Sequence, residues 1–487
     1  MAHMWWVELR RQGRPCRAPF LLCGALALAA AGPAGAQPRG QAARAAAPVS
    51  SQAPASSAAQ ARIVDMQAAV DKAVSWHPLV RGARSQVLQA NEGVDAARAG
   101  YYPSIRAGVN TRSSNSPITG YDSRHIQRAE ISASQMLYDF GKVESRVDQA
   151  RGASEIARAR VLMSLDEVVR NTAYAWVEAR RQEAVAEAAQ DLVQAVESLA
   201  RLAGEREEKG ASTLSDTAQA RARVDAARIE LLSAHAQTQR WLTTLMHWMG
   251  VPQPPEVGGD VPAALAGACT RAQAAGEGAV RPDTSSIQLA QARLQAARAG
   301  AEVARAQLLP TLSLDVSSGR GLNARSRAVG ERTVDTTVML NFSMPLYEGG
   351  RLQADRRAAE HAVAAARAEL DEARLNVDQG REDAALEWSK YASRKPVQAA
   401  RIESMRMTRT LYRDQYLQLG TRSLLDLLNA EQEYYGARRD QIDTAHEMMR
   451  LGIDCLFYAG RLQQAFALPA DKEAMAVLDS AQARGRP

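Results

Sequence analysis

Aromatic side chains are scarce in this sequence. Of its 487 residues only 5% are aromatic, and Phe occurs 5 times. A compact globular core of this size normally depends on large aromatic side chains to fill it. A chain rich in Ala, Leu, Arg, Glu and Gln instead suits long helices that pack along their length.

The sequence also lacks a strong excess of charge of one sign. Its 60 Lys and Arg residues against 54 Asp and Glu residues give a net charge of +6. Residues 1–36 contain four of these arginines and one glutamate, which leaves 56 basic and 53 acidic residues in the remainder. This balance excludes nucleic-acid binding that rests on bulk charge.

Long apolar runs are confined to the first residues of the sequence. Ala18–Ala31 is apolar, follows the basic stretch 10–17, and precedes Ala34-Gly35-Ala36. This pattern predicts a signal peptide over residues 1–36. The alternatives, a buried helix or a membrane anchor, fit less well, because a spanning helix needs ~20 apolar residues.

Residues 37–61 are rich in Ala, Pro, Ser and Gln and show no hydrophobic periodicity. We therefore expect a flexible N-terminal arm there.

Cysteine is rare as well. Two of the four cysteines, Cys16 and Cys23, lie in the predicted leader, which leaves Cys269 and Cys455. These two are able to pair in an oxidising compartment. Sequence does not supply the geometry that pairing needs, so two separate, inert thiols are the expectation.

Clusters of side chains typical of catalysis are missing from the sequence. The histidines beyond the leader are scattered over different segments: His77, His125, His235, His247, His361 and His446. No GxxxxGK[ST] phosphate loop follows a strand. The acidic residues belong to helical charge patterns with neighbouring arginines, which are usually solvated faces. We therefore expect no enzyme, no catalytic residue, no metal and no cofactor.

What the sequence does contain is a long internal repeat. Four landmarks recur at a spacing of 209 or 210 residues: Gly141 and Gly350, Gly210 and Gly420, Asp216 and Asp426, and Gly250 and Gly460. This spacing predicts two structural repeats, over 62–250 and 284–460. The Pro- and Gly-rich segment 251–283 is the predicted linker, and 461–487 is the predicted C-terminal tail.

Each repeat contains two segments in which apolar and polar residues alternate, at about 104–112 and 128–138, and at about 310–318 and 333–344. Alternation at period two predicts strands with one apolar face, and their length matches a tilted transmembrane strand. We expect one set of side chains to face lipid, namely Val109, Ile131, Leu314, Val338 and Phe342. The opposite set is expected to face a lumen, namely Arg106, Asn110, Arg112, Asp335 and Asn341. A small soluble sandwich is the alternative interpretation.

Long stretches of helix-forming residues follow the strands, at 142–204 and 351–419. Gly210 and Gly420 mark sharp turns, and hydroxyl residues after them predict caps of helices that run back, at 213–249 and 423–459. Helices of this length imply coiled-coil packing or a helical tube.

An open four-stranded sheet cannot stand alone in lipid, because its edges would leave backbone groups unpaired. Four strands are also too few to close around a pore. The pattern therefore predicts that several chains contribute strands to one barrel.

Three segments resemble the TolC-like outer membrane channel proteins: QMLYDFGK (135–142), FSMPLYEGGR (342–351) and LGTRSLLDLLNAEQEYY (419–435). The resemblance extends over roughly residues 62–462. It implies a mainly α fold with a transmembrane β part: a homotrimeric twelve-stranded barrel, four strands per chain, continued by an antiparallel coiled-coil tunnel in the periplasm.

The resemblance also implies an outer membrane exit duct that exports protein by type I secretion or small molecules. The implied partners are a periplasmic adaptor and an inner-membrane transporter of ABC or RND type. The alternative from another class is a periplasmic coiled-coil adaptor or scaffold without a pore.

By position, the resemblance also implies a periplasmic gate at the two turns. Arg422 corresponds to the gate arginine, and Asp216 with Ser215 to its partners. Leu417 stands where the family has a gate tyrosine, with Tyr416 beside it. Asp426 corresponds to the first carboxylate of a ring at the tunnel entrance, and Asn429 stands where a second is found.

Arg422 and Asp426 also lie four residues apart, which places them on one helix face. In a monomer this would be a solvated surface pair. Around a threefold axis, Asp426 would form a ring that selects cations.

Overall fold

The structure is a computed structural model that describes residues 63–116, 124–274, 282–322 and 334–468. The predicted signal peptide, the predicted arm and residues 469–487 of the predicted tail lie outside these ranges. The elements follow in the order α1 (Met66–Trp76), α2 (Pro78–Arg98), β1 (Ser104–Ser113), β2 (His125–Tyr138), α3 (Lys142–Glu208), α4 (Leu214–Met249), α5 (Ala268–Ala274), α6 (Ser285–Ala306), β3 (Thr311–Gly321), β4 (Asp335–Ser343), α7 (Arg351–Asp414), α8 (Leu424–Tyr458) and α9 (Leu462–Ala465).

The two halves of the chain share one order of elements: helix, two strands, a very long helix, a turn and a returning helix. The long helices α3 and α7 have 67 and 64 residues, which at 1.5 Å per residue is on the order of 100 Å each. We call α3 with α4 the first hairpin and α7 with α8 the second hairpin.

The four strands form one antiparallel sheet in the order β1-β2-β3-β4. They fall on the four predicted segments, although β2 begins three residues earlier, at His125, and β3 continues to Gly321. The outer edges of β1 and β4 have no strand partner among the described residues of the chain.

The register of the sheet places the alternating residues on two distinct faces. Val338 pairs with Val316, which pairs with Ala133, which pairs with Ile105. Followed across the sheet, this register puts all five predicted lipid-facing residues on one face, which we call the apolar face. All five predicted lumen-facing residues lie on the other, which we call the polar face.

The polar face carries hydrogen bonds between strands. Arg128 Nη2 lies 3.2 Å from Asp335 Oδ2, and Ser134 donates to Asp315 at 2.5 Å. A Cβ at Gly319 would lie 2.4 Å from Arg128 Nε, so the missing side chain of this glycine makes room for the guanidinium. The polar face therefore consists of hydrophilic side chains, some of which form hydrogen bonds with side chains of the neighbouring strand.

The largest core cluster lies where the two halves meet. It combines α1, α3, α4 and α8, with Trp176, Leu245 and Ile453 at 2% exposure or less. The segment predicted as a linker contributes Leu265 to this core, and the first residues of the predicted tail contribute Phe466, which has no exposed surface. Both segments therefore help to cover the core.

Cys269 and Cys455 form a disulfide, with their Cα atoms 5.2 Å apart. The expectation of two separate thiols was wrong. The bond joins α5, in the connection between the halves, to α8, and both residues are buried in the largest core. The two cysteines are 186 residues apart in sequence, so only the tertiary fold brings them together.

A polar cluster beside this disulfide also joins the two halves. Arg170 of α3 forms an ion pair at 2.5 Å with Asp454 of α8, to which the hydroxyl of Tyr174 also donates. The guanidinium lies 4.7 Å from the centroid of the Phe457 ring. Burial raises the pKa of Tyr174, so its phenol remains a donor.

Two glycines inside helices mark close contacts between helices. A Cβ at Gly152 would lie 2.9 Å from the Cα of Ala296 in α6, and a Cβ at Gly380 would lie 2.3 Å from the ring of Tyr458. Glycine weakens a helix, and here its small size allows a neighbour to approach.

Across the residues that the structure describes, no helix has the length and apolar character needed to cross a membrane. The same residues hold no group of His, Cys, Asp and Glu side chains able to bind a metal ion.

Candidate gate at the hairpin turns

The first hairpin turns through Gly210 and restarts at an N-terminal cap. Gly210 adopts φ 70°, in the left-handed region that favours glycine. Thr213 then caps α4: its hydroxyl accepts from the backbone N–H of Asp216 at 3.1 Å, and its own N–H donates to the Asp216 carboxylate at 3.2 Å. This reciprocal pair is a capping box.

The second hairpin repeats this design 210 residues later. Gly420 adopts φ 63°. The hydroxyl of Ser423 accepts from the N–H of Asp426 at 3.2 Å, and the Ser423 N–H donates to the Asp426 carboxylate at 3.2 Å. The predicted hydroxyl caps at both turns are confirmed.

Both acidic residues of the predicted site are thus held by their own turns. The N–H and hydroxyl of Thr213 lower the pKa of Asp216, with a further hydrogen bond from the Ser212 hydroxyl at 3.1 Å. The Asp426 side chain remains 40% exposed, so its carboxylate combines a capping role with access to solvent.

Arg422 lies in the second turn and is held by residues of its own hairpin. Its Nε donates to the Gln415 side chain at 3.0 Å, and its guanidinium lies 4.3 Å from the centroid of the Tyr412 ring. Asp426 is 4.0 Å away, at the limit of an ion pair. Among the described residues of a single chain, Arg422 makes no contact with Asp216.

Tyr416 joins the two turns within the chain. It lies in a single π-helical turn, Gln415–Leu419, that ends α7, and it is only 6% exposed. The guanidinium of Arg206, at the end of α3, lies 4.7 Å from its ring centroid. Burial raises the pKa of Tyr416, while Arg206 and a hydrogen bond with Ser212 oppose this shift. π-helical turns are rare and frequent at functional sites.

The other two residues that the resemblance placed here are on the surface. Ser215 is exposed, and Leu417 is 44% exposed. The buried tyrosine therefore stands one position before the leucine that occupies the family's tyrosine position.

Asn429 faces the first hairpin. Its side-chain oxygen accepts from Arg223 of α4 at 3.2 Å. This contact adds a link between α4 and α8 that the resemblance did not imply.

A second link between the same helices lies further along α8. Glu230 of α4 accepts from the hydroxyl of Tyr435 at 3.1 Å and from Arg439 at 2.7 Å. Burial, with Glu230 beside it, raises the pKa of Tyr435 to about 12, so the phenol keeps its proton and donates. The sequence showed only residues of complementary type on two distant helices, which is too common a pattern to single them out.

Together these contacts hold the ends of the two hairpins side by side. These hydrogen bonds, ion pairs and ring contacts surround an apolar core at the same place, in which Leu199 of α3, Val224 of α4 and Leu428 of α8 are buried. The polar contacts lie at the rim of this core, where exposed ion pairs contribute little to stability.

An amphipathic sheet with unpaired edges, joined to two long hairpins that end in polar links, defines the subunit of a membrane channel with a helical extension. The chain belongs to the outer membrane efflux protein family, which matches residues 69–251 and 282–450. Both matched ranges contain two strands and one hairpin, and the resemblance inferred from the sequence is confirmed.

Among curated proteins, the chain is 26% identical over 404 residues to protein CyaE of Bordetella pertussis, covering 81% of this chain and 83% of that protein. It is 28% identical over 272 residues to the alkaline protease secretion protein AprF of Pseudomonas aeruginosa, covering 53% and 54%. Among solved structures, the outer membrane protein VceC of Vibrio cholerae shares the fold, with a TM-score of 0.69, 18% identity, and coverage of 81% of this chain and 96% of that one. These likenesses favour a channel over an adaptor without a pore.

Proposed function

We propose that this chain forms the exit duct of a tripartite export system in the outer membrane. Three chains each contribute four strands to a twelve-stranded barrel, and their hairpins continue it as a tunnel in the periplasm. The duct has no catalytic activity and no cofactor of its own. It takes its cargo from an inner-membrane transporter of ABC or RND type through a periplasmic adaptor.

One observation carries this proposal: the sheet has an apolar face, a polar face and two unpaired edges. In hydrocarbon every backbone N–H and C=O needs a partner. Edge pairing between β4 of one chain and β1 of the next satisfies these groups and closes the barrel. The apolar face then meets lipid and the polar face lines the lumen.

The division of the chain follows from this arrangement. Residues 62–250 and 284–460 act as the two repeats, and a signal peptide over 1–36 directs export. The connection 251–283 and the first residues after 460 serve to cover the joint between the repeats, since Leu265 and Phe466 lie in its core.

The gate we propose lies at the hairpin turns. Arg422 reaches Asp216 and Ser215 on a neighbouring chain in the closed state, since within one chain it contacts neither. Tyr416 holds the two turns of the same chain together through Arg206. Asp426, partly exposed beside the turn, forms the carboxylate ring of the entrance, and Asn429 contributes through its contact with the first hairpin.

The cargo that we propose is a secreted protein. The relative AprF is named for the secretion of alkaline protease. The same type of duct serves proteins and small molecules, so the cargo has to be identified by its loss from a deletion strain. A deletion strain should lose one or a few proteins from its culture medium, measured by mass spectrometry. Loss of a small molecule or of drug resistance, with an unchanged set of secreted proteins, would reassign the cargo.

Single-channel recording in planar bilayers tests the pore and the gate together. The purified protein should insert as a trimer with small conductance, and Arg422→Ala and Asp216→Ala should each increase it severalfold. Arg401→Ala is the matched control, because Arg401 pairs with Asp440 at 3.0 Å on the same hairpin, away from the turn.

The two parts of the proposal fail separately. Absence of any conductance from a folded wild-type trimer would contradict the duct. Unchanged conductance in both gate variants, with a conducting wild type, would contradict the gate assignment alone.

A further inference from the structure

One cation stands on the otherwise uncharged apolar face of the sheet. Arg320 lies in β3 opposite Ala129 of β2, which lies opposite Val109 of β1. The register therefore puts its side chain on the same face as Ile131 and Val338. An arginine on a lipid-facing surface is costly near the midplane of a bilayer and nearly without cost at its boundary.

The position of Arg320 along the sheet is at such a boundary. Residues that pair across neighbouring strands form rows on the apolar face. The row nearest the helices contains Leu312 and Phe342, and the row of Arg320 contains Ala129 and Val109. The next two rows on this face are polar: Thr111 with Gln127, and Ser113 with His125.

Arg320 lies eight residues beyond Leu312 along β3. At ~3.3 Å per residue along strands tilted by ~40°, this distance is about 20 Å, near the ~25 Å height of an apolar band. Arg320 thus stands where acyl chains give way to headgroups.

Within the described ranges the side chain of Arg320 is exposed and forms no hydrogen bond or ion pair. Arg128, by contrast, lies one row away on the polar face and pairs with Asp335. An unpaired guanidinium at a lipid boundary is free to bind an anion from the membrane.

A shallow depression of about 500 Å³ lies beside Arg320 on the sheet. Ala107, Val109, Ala129, Ile131 and Val334 line it together with Arg320 and Ser318. Glu130 also borders it, but the register of β2 puts the Glu130 side chain on the polar face. The floor is low because alanines stand between larger apolar side chains. The combination of an apolar trough and a cation at its outer end matches an acyl chain below a negatively charged headgroup.

We infer that this depression binds a phosphorylated, acylated lipid of the outer leaflet, with an acyl chain along the trough and its phosphate on Arg320. The guanidinium is suited to this role, because its planar fork binds a phosphate through two parallel hydrogen bonds. The inference rests on the proposed barrel, since the face must meet lipid for the site to exist.

Native mass spectrometry of the trimer tests the site, with lipid A as the probe. Wild-type trimer in detergent should retain up to three lipid A molecules. Arg320→Gln should weaken retention by roughly 10- to 150-fold, because a hydrogen bond to a charged group contributes about 1.5–3 kcal/mol. Arg320→Lys should retain part of the binding.

Two further variants separate the cation from the trough. Arg112→Gln is the matched control, since Arg112 lies near the same end of the sheet on the polar face, and it should retain lipid as the wild type does. Ala129→Phe fills the trough without a change of charge and should also displace the lipid. Dephosphorylated lipid A should bind the wild-type trimer as weakly as lipid A binds the Arg320→Gln variant. Inorganic phosphate should not displace lipid A from the wild type.

Several results would overturn the inference. Equal retention by Arg320→Gln and Arg112→Gln would do so, as would full competition by inorganic phosphate, which would indicate a free-phosphate site. A trimer that conducts ions in bilayers but retains no lipid A refutes the lipid site and leaves the duct intact. A chain that forms no trimer refutes the proposed function first.

Discussion

The disulfide between Cys269 and Cys455 gives the sharpest stability prediction. It closes a loop of about 187 residues. In the chain-entropy model, closing a loop of this length lowers the conformational entropy of the unfolded chain, which raises the free energy of the unfolded state by about 5 kcal/mol at 25 °C. Removing the bond should therefore cost up to about 5 kcal/mol of folding free energy, and it should release α5 from α8.

The perturbation is the double variant Cys269→Ala, Cys455→Ala, compared with the wild type in detergent by urea denaturation. Reductant reaches the buried disulfide once the protein unfolds, so the urea midpoint of the wild type should be markedly lower with reductant than without it. The urea midpoint of the double variant should equal that of the reduced wild type. The variant's own midpoint should not respond to reductant, which controls for effects of reductant elsewhere.

Thiol alkylation of the unfolded, unreduced protein provides the direct check on pairing. If the leader is removed, the mature chain has no other cysteine, so no alkylated thiol is expected before reduction and two are expected after it. Two alkylated thiols before reduction would refute the pairing. A paired protein whose midpoint does not change on reduction would refute the loop-entropy reasoning.

Three other perturbations follow from the sheet, a helix contact and a cap. Val338→Arg, on the apolar face, should reduce the free energy of unfolding by about 2–4 kcal/mol and lower the amount of heat-sensitive trimer seen by gel electrophoresis. Thr337→Arg, on the polar face, should assemble like the wild type. Equal assembly of the two variants would contradict the assignment of faces. Gly152→Ala should destabilise the protein by about 1–3 kcal/mol, because the added Cβ would meet a backbone Cα of α6. Gly204→Ala is the control: a Cβ there would have nothing within 4 Å, so the change should stabilise the helix by about 0.5–1 kcal/mol. Thermal unfolding that ranks the two variants the other way would contradict the close contact at Gly152. The capping hydrogen bonds from Thr213 lower the pKa of Asp216, so its stabilising contribution to the start of α4 is present above pH ~4 and is lost as the pH falls through the lowered pKa. Hydrogen exchange at the start of α4, corrected for intrinsic rates, should show this loss, and Asp216→Asn should abolish the pH dependence.

Local chemistry made much of the fold predictable. Period-two alternation is a property of neighbouring residues, and the register kept Val109, Ile131 and Val338 on one face as predicted. Turn glycines with a hydroxyl residue after them have one favoured local structure, which is why the caps at Thr213 and Ser423 were foreseen.

Contacts between distant segments were not predictable in the same way. Cys269 and Cys455 looked like separate thiols because no local pattern marks a bond across 186 residues. The resemblance placed Asn429 where a second ring carboxylate is found, and nothing in the sequence indicated that its side chain also accepts a hydrogen bond from Arg223. The contact of Tyr416 with Arg206 likewise joins residues 210 apart in sequence.

Closure of the sheet between chains is the central claim, and engineered disulfides test it most directly. In one chain β1 and β4 are separated by two strands, about 14 Å, too far for a bond within the sheet. Ala107→Cys is combined in turn with Thr336→Cys, Val338→Cys and Leu340→Cys, and outer membranes are analysed on non-reducing gels after boiling. The account predicts covalent dimers and trimers for at least one pair; monomers alone for every pair would contradict it.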